Sequence, residues 1–277
     1  MKSSSFEHDF FTWGSMGLLK VEGKDSRDFL HRLSTQDFSD FGDARSLVST
    51  VFPTNHGKIV DWTWVVHGQG SLWIPTTSER VGRLKEWLEK FIIMEDVVLE
   101  DHSDLVRACV VQSKEAHSFL GVDVEFGQVN ARYGGYFYRG LEAYGNRLEG
   151  WVTVEQEHEL KAHLEQRGLV EASLEQMEAC RLRAGVPSPL WEYAKEVSPL
   201  ELRLNRDAIA WNKGCYIGQE VISRLDSYDK VKRLLMGFST QALLPAGEVI
   251  RIKKDGKTLG KVSSFVQLDS GETIGLG

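Results

Sequence analysis

The stretch from Ser46 to Pro75, SLVSTVFPTNHGKIVDWTWVVHGQGSLWIP, constrains the fold more than any other. Ile59, Val60, Trp62, Trp64, Val65 and Val66 place β-branched and aromatic side chains between two turn signals, Pro53 to Gly57 and Gly68 to Gly70. That pattern predicts an antiparallel meander. Residues 18–22 predict a preceding strand, and in GKDSRDFLHRLS Asp25 or Ser26 caps a helix with Phe29, Leu30 and Leu33 on one face. From Ser78, a capping residue, Val81, Leu84, Leu88 and Phe91 recur at helical spacing, and VVLEDHSDLVRACVV then reads as a strand-like segment. Strand, helix, meander, helix and strand in that order predict an α+β domain rather than a doubly wound parallel sheet.

Further along, GQVNARYGGYFYRGLEAYGNRLEGWVTV predicts short strands. Two helices follow, over 155–168 and 171–187, the second closed by Gly185 and Pro187. His158 and His163 are five apart, which turns them about 140° from each other, so they read as a solvated helix face and not as a zinc pair. Neither the dinucleotide nor the phosphate-loop glycine pattern occurs. Beyond the loop through Pro187, Pro189 and Pro199, the segment KRLLMGFSTQALLPAGEVIRIKKDGKTLGKVSSFVQ alternates apolar and polar residues around a Lys254-Asp255-Gly256-Lys257 hairpin. A small antiparallel barrel has this pattern. The division predicted is 1–200 and 201–277, with the final ETIGLG stopping partway through a strand, as in a truncated chain.

Hydrophobic residues at 42% and charged residues at 26% are ordinary for a globular protein of this length. The first residues lack the layout of a secretory signal and no run is long enough to cross a bilayer, so no membrane partner and a cytoplasmic location are expected. A net charge of −7 argues against direct nucleic-acid binding, although residues 1–200 carry 21 basic against 31 acidic side chains and residues 201–277 carry 12 against 9. Cys109, Cys180 and Cys215 lie 71 and 35 residues apart, which gives neither a zinc pattern nor a disulfide framework, and Cys109 reads as a small buried hydrophobe.

WNKGCYIGQEVISR, residues 211–224, is the most unusual segment. Gly214 and Gly218 bracket Cys215, Tyr216 and Ile217, and glycines permit a tight turn or close approach of a ligand. Lys213 favours a Cys215 thiolate if the two side chains meet, and Glu220 and Arg224 pair if a helical turn begins at GQE. No histidine lies in the motif to act as a base, and a packed cysteine in a glycine-rich turn accounts for the same residues.

K-G-C-Y-x-G-Q-E, present as Lys213 to Glu220, resembles the signature of the YgfZ-type folate-binding proteins, relatives of the glycine cleavage system aminomethyltransferase. VEGKDSRDFLHRLSTQDF is similar to the family's N-terminal pattern at Val21, Gly23, Asp25, Phe29, Leu30, Thr35 and Asp37. The resemblance implies interlocked folate-binding α+β subdomains around a central hole, ending in an antiparallel β-barrel. It implies tetrahydrofolate or a one-carbon derivative as ligand, and iron-sulfur enzymes or their assembly proteins as partners, including enzymes that modify tRNA. The site it implies has Cys215 and Lys213 as the functional loop and Asp61, Trp211, Tyr216, Gln219, Glu220 and Arg224 as folate contacts, with no metal ligand. The aminomethyltransferases read R-x-E-A-G before the proline loop, where this chain has Arg181-Leu182-Arg183-Ala184-Gly185, and an arginine cannot accept the pterin N–H groups. This departure favours the accessory branch; folate-dependent aminomethyl or other one-carbon transfer is the alternative, and a docking module with a decayed folate site the second.

Overall fold

The computed structural model describes residues 9–42, 45–245 and 247–277; the extreme N-terminus, read above for a signal, lies largely outside them. Two sheets pack face to face. The first is antiparallel and has the order β3-β4-β5-β2-β6, built from β2 (Gly17–Glu22), β3 (Leu47–Pro53), β4 (Ile59–Gly68), β5 (Ser71–Thr76) and β6 (Val98–Asp101). The second contains β1 (Phe10–Gly14), β7 (Val106–Gln112), β8 (Val129–Arg132), β9 (Gly135–Arg139), β10 (Arg147–Thr153) and β11 (Val170–Glu171), in the order β11-β1-β7-β10-β9-β8.

Alternation along the strands sorts side chains into layers. Leu18 faces the space between the sheets with Leu47, Val66, Val106 and Trp151, while its neighbour Leu19 faces outward. There it meets Phe29, Leu30 and Leu33 of α1 (Ser26–Leu33) and Val81, Leu84 and Leu88 of α2 (Val81–Glu89). On the far side Phe11, Cys109, Val111 and Phe137 pack against α3 (Ala116–Leu120) and Leu160 and Leu164 of α4 (Val154–Gln166). The result is four layers, helix, sheet, sheet and helix.

The expected meander, the strand at 18–22 and both early helices are present, with local corrections. α2 starts after Arg80 without a side-chain cap, and Phe91 lies past its end, packed on the core from outside the helix. The segment 97–111 is not one strand. Asp101 Oδ1 accepts the Ser103 amide and hydroxyl, and the turn this closes sends β6 into one sheet and β7 into the other. His163 does not sit on a purely solvated face, because its ring Nε2 meets the Phe119 carbonyl at 3.0 Å.

α5 (Leu174–Ala184) opens on a Ser173 capping box and closes on Gly185 at φ +69°. Its buried Ala179 and Leu182 pack on Val266, Ile274 and Leu276 of the C-terminal sheet, formed by β12 (Gly237–Thr240), β15 (Ser264–Gln267) and β16 (Thr273–Leu276) in the order β12-β16-β15. β13 (Arg251–Lys254) and β14 (Lys257–Lys261) form a separate hairpin turned by Asp255 and Gly256, both at positive φ. Among the described residues these strands do not close into a barrel: α5 covers the apolar face of the three-stranded sheet, and the hairpin pairs only with itself.

Trp151 is 2% exposed and stacks edge-on against Tyr136 at 5.4 Å between the two sheets, where no smaller apolar group fills its volume. Gly68 is required nearby, since a Cβ there would lie 2.2 Å from the Tyr136 ring. Trp151→Ala should lower the unfolding free energy by about 3–5 kcal/mol, read as a drop in the urea midpoint without a change in slope.

Candidate functional site

The motif loop is built onto the C-terminal end of α1. The last carbonyls of a helix have no internal partner and carry the negative end of its dipole. Lys213 reaches them from far along the chain: Nζ donates to the carbonyls of His31 at 2.5 Å, Ser34 at 2.8 Å and Gln36 at 2.5 Å. Its three N–H groups are thereby used. Burial pushes the ammonium down to about 8 against the opposing charge of Asp37, and the Tyr216 ring lies 5.1 Å from Nζ. Tyr216 is itself buried, which raises its phenol to about 12.

Two more contacts fix the loop. Ile217 N–H donates to the Arg32 carbonyl at 3.0 Å, and Gly218, at φ +78°, presses against the β3–β4 turn so closely that a Cβ would lie 2.3 Å from the Thr54 carbonyl. α6 (Gln219–Ser227) then begins, burying Ile222 with Leu200, Ile209 and Tyr216. Cys215 is left exposed at the crest of this turn. Glu220 and Arg224 are both exposed and form no ion pair among the described residues, contrary to the spacing argument, since an exposed pair gains little by closing. Trp211 donates its indole N–H to the Asn205 carbonyl at 3.2 Å.

His31 is the partner that sequence reasoning missed. Its Nδ1 accepts the Phe38 amide at 3.2 Å, so in the neutral ring the proton sits on Nε2. Nε2 lies 3.6 Å from where a side chain on Gly214 would begin, beside Cys215. Burial, followed by the Lys213 charge, lowers the His31 pKa and favours that neutral form.

A cavity of about 930 Å³ opens between the first sheet, the second sheet, the loop after α5 and the C-terminal sheet. Ser49, Trp62 and Trp64 form one wall, Leu141 to Ala143 and Ala184 to Pro187 another, and Leu202 to Leu204, Arg206 and Met236 a third. Trp62 is held by its indole N–H on Ser49 Oγ at 2.9 Å. No residue from 211 to 224 lines this cavity, so of the expected folate contacts Trp211, Tyr216, Gln219, Glu220 and Arg224 stand outside its walls. Arg183, where the resemblance would place a pterin-binding carboxylate, is exposed and off the lining.

Asp61 lies directly behind the Trp62 wall, 1% exposed. Its Oδ1 accepts the Trp62 amide at 3.0 Å and its Oδ2 the Thr76 hydroxyl. Burial raises this carboxyl to about 6, against the lowering pull of Thr76 and Arg80. Arg80 is buried too, and binds the carbonyls of Val60, Pro189 and Tyr193, which ties the proline loop to the strand that carries Asp61. A smaller chamber of about 260 Å³, lined by Thr76, Thr77, Glu149 and Tyr193, lies on the other side of Trp62. Lys213→Met should lower stability by about 1–3 kcal/mol, because it strands buried carbonyls. The same variant should speed alkylation of Cys215 by loosening the loop, both read in one denaturant series.

No family model matches the chain. It is similar to a chloroplastic candidate transferase of Arabidopsis thaliana, 28% identical over 90% of this chain. The chain spans 60% of the length of that relative. It is 23% identical to an aminomethyltransferase of Staphylococcus carnosus, covering 93% of this chain and 74% of the relative. An aminomethyltransferase of Bacillus subtilis is 21% identical, over 96% and 78%. The crystal structure of glycine cleavage system aminomethyltransferase T from Bartonella henselae superposes with a TM-score of 0.80, at 17% identity, over 98% of this chain and 78% of that one. The chain therefore has the α+β fold of the glycine cleavage system aminomethyltransferases.

Proposed function

We propose that the protein binds tetrahydrofolate or a one-carbon derivative in the 930 Å³ cavity and serves, as a cytoplasmic accessory protein, the assembly or maintenance of iron-sulfur enzymes, tRNA-modifying ones among them. The observation that carries the folate reading is the Trp62–Trp64 wall backed by buried Asp61. Two indole faces suit a flat pterin, and Ser49, Gln36 and Glu142 offer acceptors for its N–H edge. Tetrahydrofolate supplies a one-carbon carrier when bound. The chain supplies the walls, a carboxyl titrating near neutrality behind them, and an exposed thiol held on a separate, rigid turn.

That separation supports the accessory reading. A thiol outside the cavity can meet a partner protein, and Arg183 stands where the transferases carry a glutamate. A folate-dependent one-carbon transferase is the second reading, favoured by the relatives named aminomethyltransferase and by Asp61. Turnover of an aminomethyl donor to methylene-tetrahydrofolate, abolished by Asp61→Asn, would establish that reading over the accessory one.

Titration with tetrahydrofolate should quench tryptophan fluorescence, and Trp64→Phe should remove much of the change; no response at millimolar ligand would leave a docking module. In cells lacking the protein, Cys215→Ser should fail to restore iron-sulfur enzyme activity while retaining wild-type stability. Asp61 also predicts a pH effect. Its folded pKa lies above the usual 3.8, so the folded state holds this proton more tightly than the unfolded chain, and that stabilisation, complete below about pH 4, is lost as pH rises through 6. Asp61→Asn keeps both hydrogen bonds, should flatten this fall, and should be about 3 kcal/mol more stable than wild type at pH 7, read from urea midpoints across pH 4 to 8.

A further inference from the structure

The motif loop is the far end of a longer segment that also walls the cavity. Leu202, Leu204 and Asp207 line the cavity, and the chain then runs through Ala208 and Ala210 to Lys213 and Ile217. The same cavity is lined by Gln36, just after α1, and by Leu47, Val48 and Ser49 of β3. A seam therefore divides the lining, with residues 202–217 on one side and the end of α1 and the first sheet on the other.

Three sets of contacts hold the seam shut. At its start Leu202 and Leu204 are buried with Val51, Ile59 and Tyr193, and Arg203 between them has φ +61°, a left-handed turn that lets both leucines face inward. In the middle, the wholly buried Thr35 donates its hydroxyl to the Ala208 carbonyl at 2.5 Å and accepts the Ala210 amide on its own carbonyl at 2.9 Å. At the end, Lys213 Nζ holds the carbonyls of His31, Ser34 and Gln36, and the Ile217 amide donates to the Arg32 carbonyl at 3.0 Å. Gln36 is fixed by the same set: its amide donates to Thr50 Oγ1 at 3.1 Å while its carbonyl takes Lys213. Beyond the two leucines the seam is polar, and polar contacts exchange for water when a segment lifts, so it opens more readily than the sheets unfold.

We infer that residues 202–217 form a strap that a ligand in the cavity clamps closed, so that the setting of the turn carrying Cys215 follows whether the cavity is filled. The inference rests on the folate reading for the identity of the ligand and adds a coupling between the cavity and the motif loop. A ligand that touches both sides of the seam binds only while it is shut, and at concentration [L] it disfavours opening by the factor 1 + [L]/Kd. A partner protein that recognises the turn meets it in one fixed form when the cavity is occupied. Linkage is reciprocal, so a partner that holds the turn also holds the ligand.

Amide hydrogen exchange of the full chain, resolved at Ala210 and Ile217, tests this without ligand and with tetrahydrofolate at about 100 times its dissociation constant. These two amides have their acceptors across the seam, and tryptophan fluorescence reads occupancy independently. Without ligand both should exchange faster than the amides of Leu160 and Leu164 in α4, which marks a local opening. Tetrahydrofolate should slow both at least tenfold, towards the limit of about 100-fold that linkage sets. Lys213→Met, its fold verified by circular dichroism, should speed both at least tenfold in the absence of ligand. A filled cavity with less than twofold change at either amide overturns the strap and leaves folate binding intact. Exchange in the free protein as slow as that of α4, or unchanged rates in the folded variant, also overturns it. Failure of tetrahydrofolate to bind at millimolar concentration overturns the folate reading and the clamp with it.

Discussion

The cavity depends on one buried ion pair. Arg181 on α5 donates Nη1 to Glu192 Oε2 at 3.0 Å and to the Val186 carbonyl at 2.6 Å, and Nη2 to Ser264 Oγ at 2.8 Å on the C-terminal sheet. The Glu192 side chain is wholly buried and accepts the Ser264 hydroxyl and the Ser188 amide as well. Glu178, three residues earlier on α5, holds the other edge of the guanidinium through Nε at 2.8 Å and Nη2 at 2.5 Å, so helix, proline loop and C-terminal sheet meet at one arginine shared by two carboxylates. A buried pair of this kind adds little net stability over an apolar substitute, but removing Arg181 strands the buried Glu192 at about 3–5 kcal/mol. Its value lies in specifying position: the buried Glu192 carboxylate is neutralised only when the three pieces are in register, and that register shapes the cavity.

Asp61 and Arg80 work on the opposite wall by a different balance. Arg80 is spent on three backbone carbonyls and shares the neighbourhood of Asp61 without hydrogen-bonding it. Burial then outweighs the nearby positive charge, and the carboxyl titrates near neutrality. A direct salt bridge would have held it ionised. The raised carboxyl behind Trp62 is thus set first by burial, with Arg80 too fully engaged by carbonyls to cancel it.

The early fold was legible because its signals are local. The spacing of Phe29, Leu30 and Leu33, and the turns flanking β4, recur as drawn from the sequence. The break after Asp101 was not, because it is made by one side chain capping a turn within a continuous apolar pattern. The site was legible only in part for a related reason. Cys215 stood out by its glycine setting, but the carbonyl partners of Lys213 come from the end of α1 and the turn after it, about 180 residues earlier, a separation no spacing rule reaches. Arg203 gave no signal at all: its left-handed backbone follows from the two leucines beside it choosing the core, a tertiary decision.

The motif's chemistry therefore divides between building and acting. Lys213 and Tyr216 are buried and mutually packed, Gly218 is required by the Thr54 carbonyl, and Ile217 is bonded to α1. Each of these residues serves to hold the turn, and a buried ammonium is a demanding way to hold one, since its desolvation must be offset by all three carbonyls together. A loop needing only to connect the proline segment to α6 has no use for that arrangement. What the arrangement does achieve is to fix an exposed cysteine on a rigid turn outside the cavity, tied to the segment after α1 through the Gln36 carbonyl. Gln36 touches both: its carbonyl receives Lys213 and its residue lines the cavity, so a ligand that shifts Gln36 shifts the tether under Cys215.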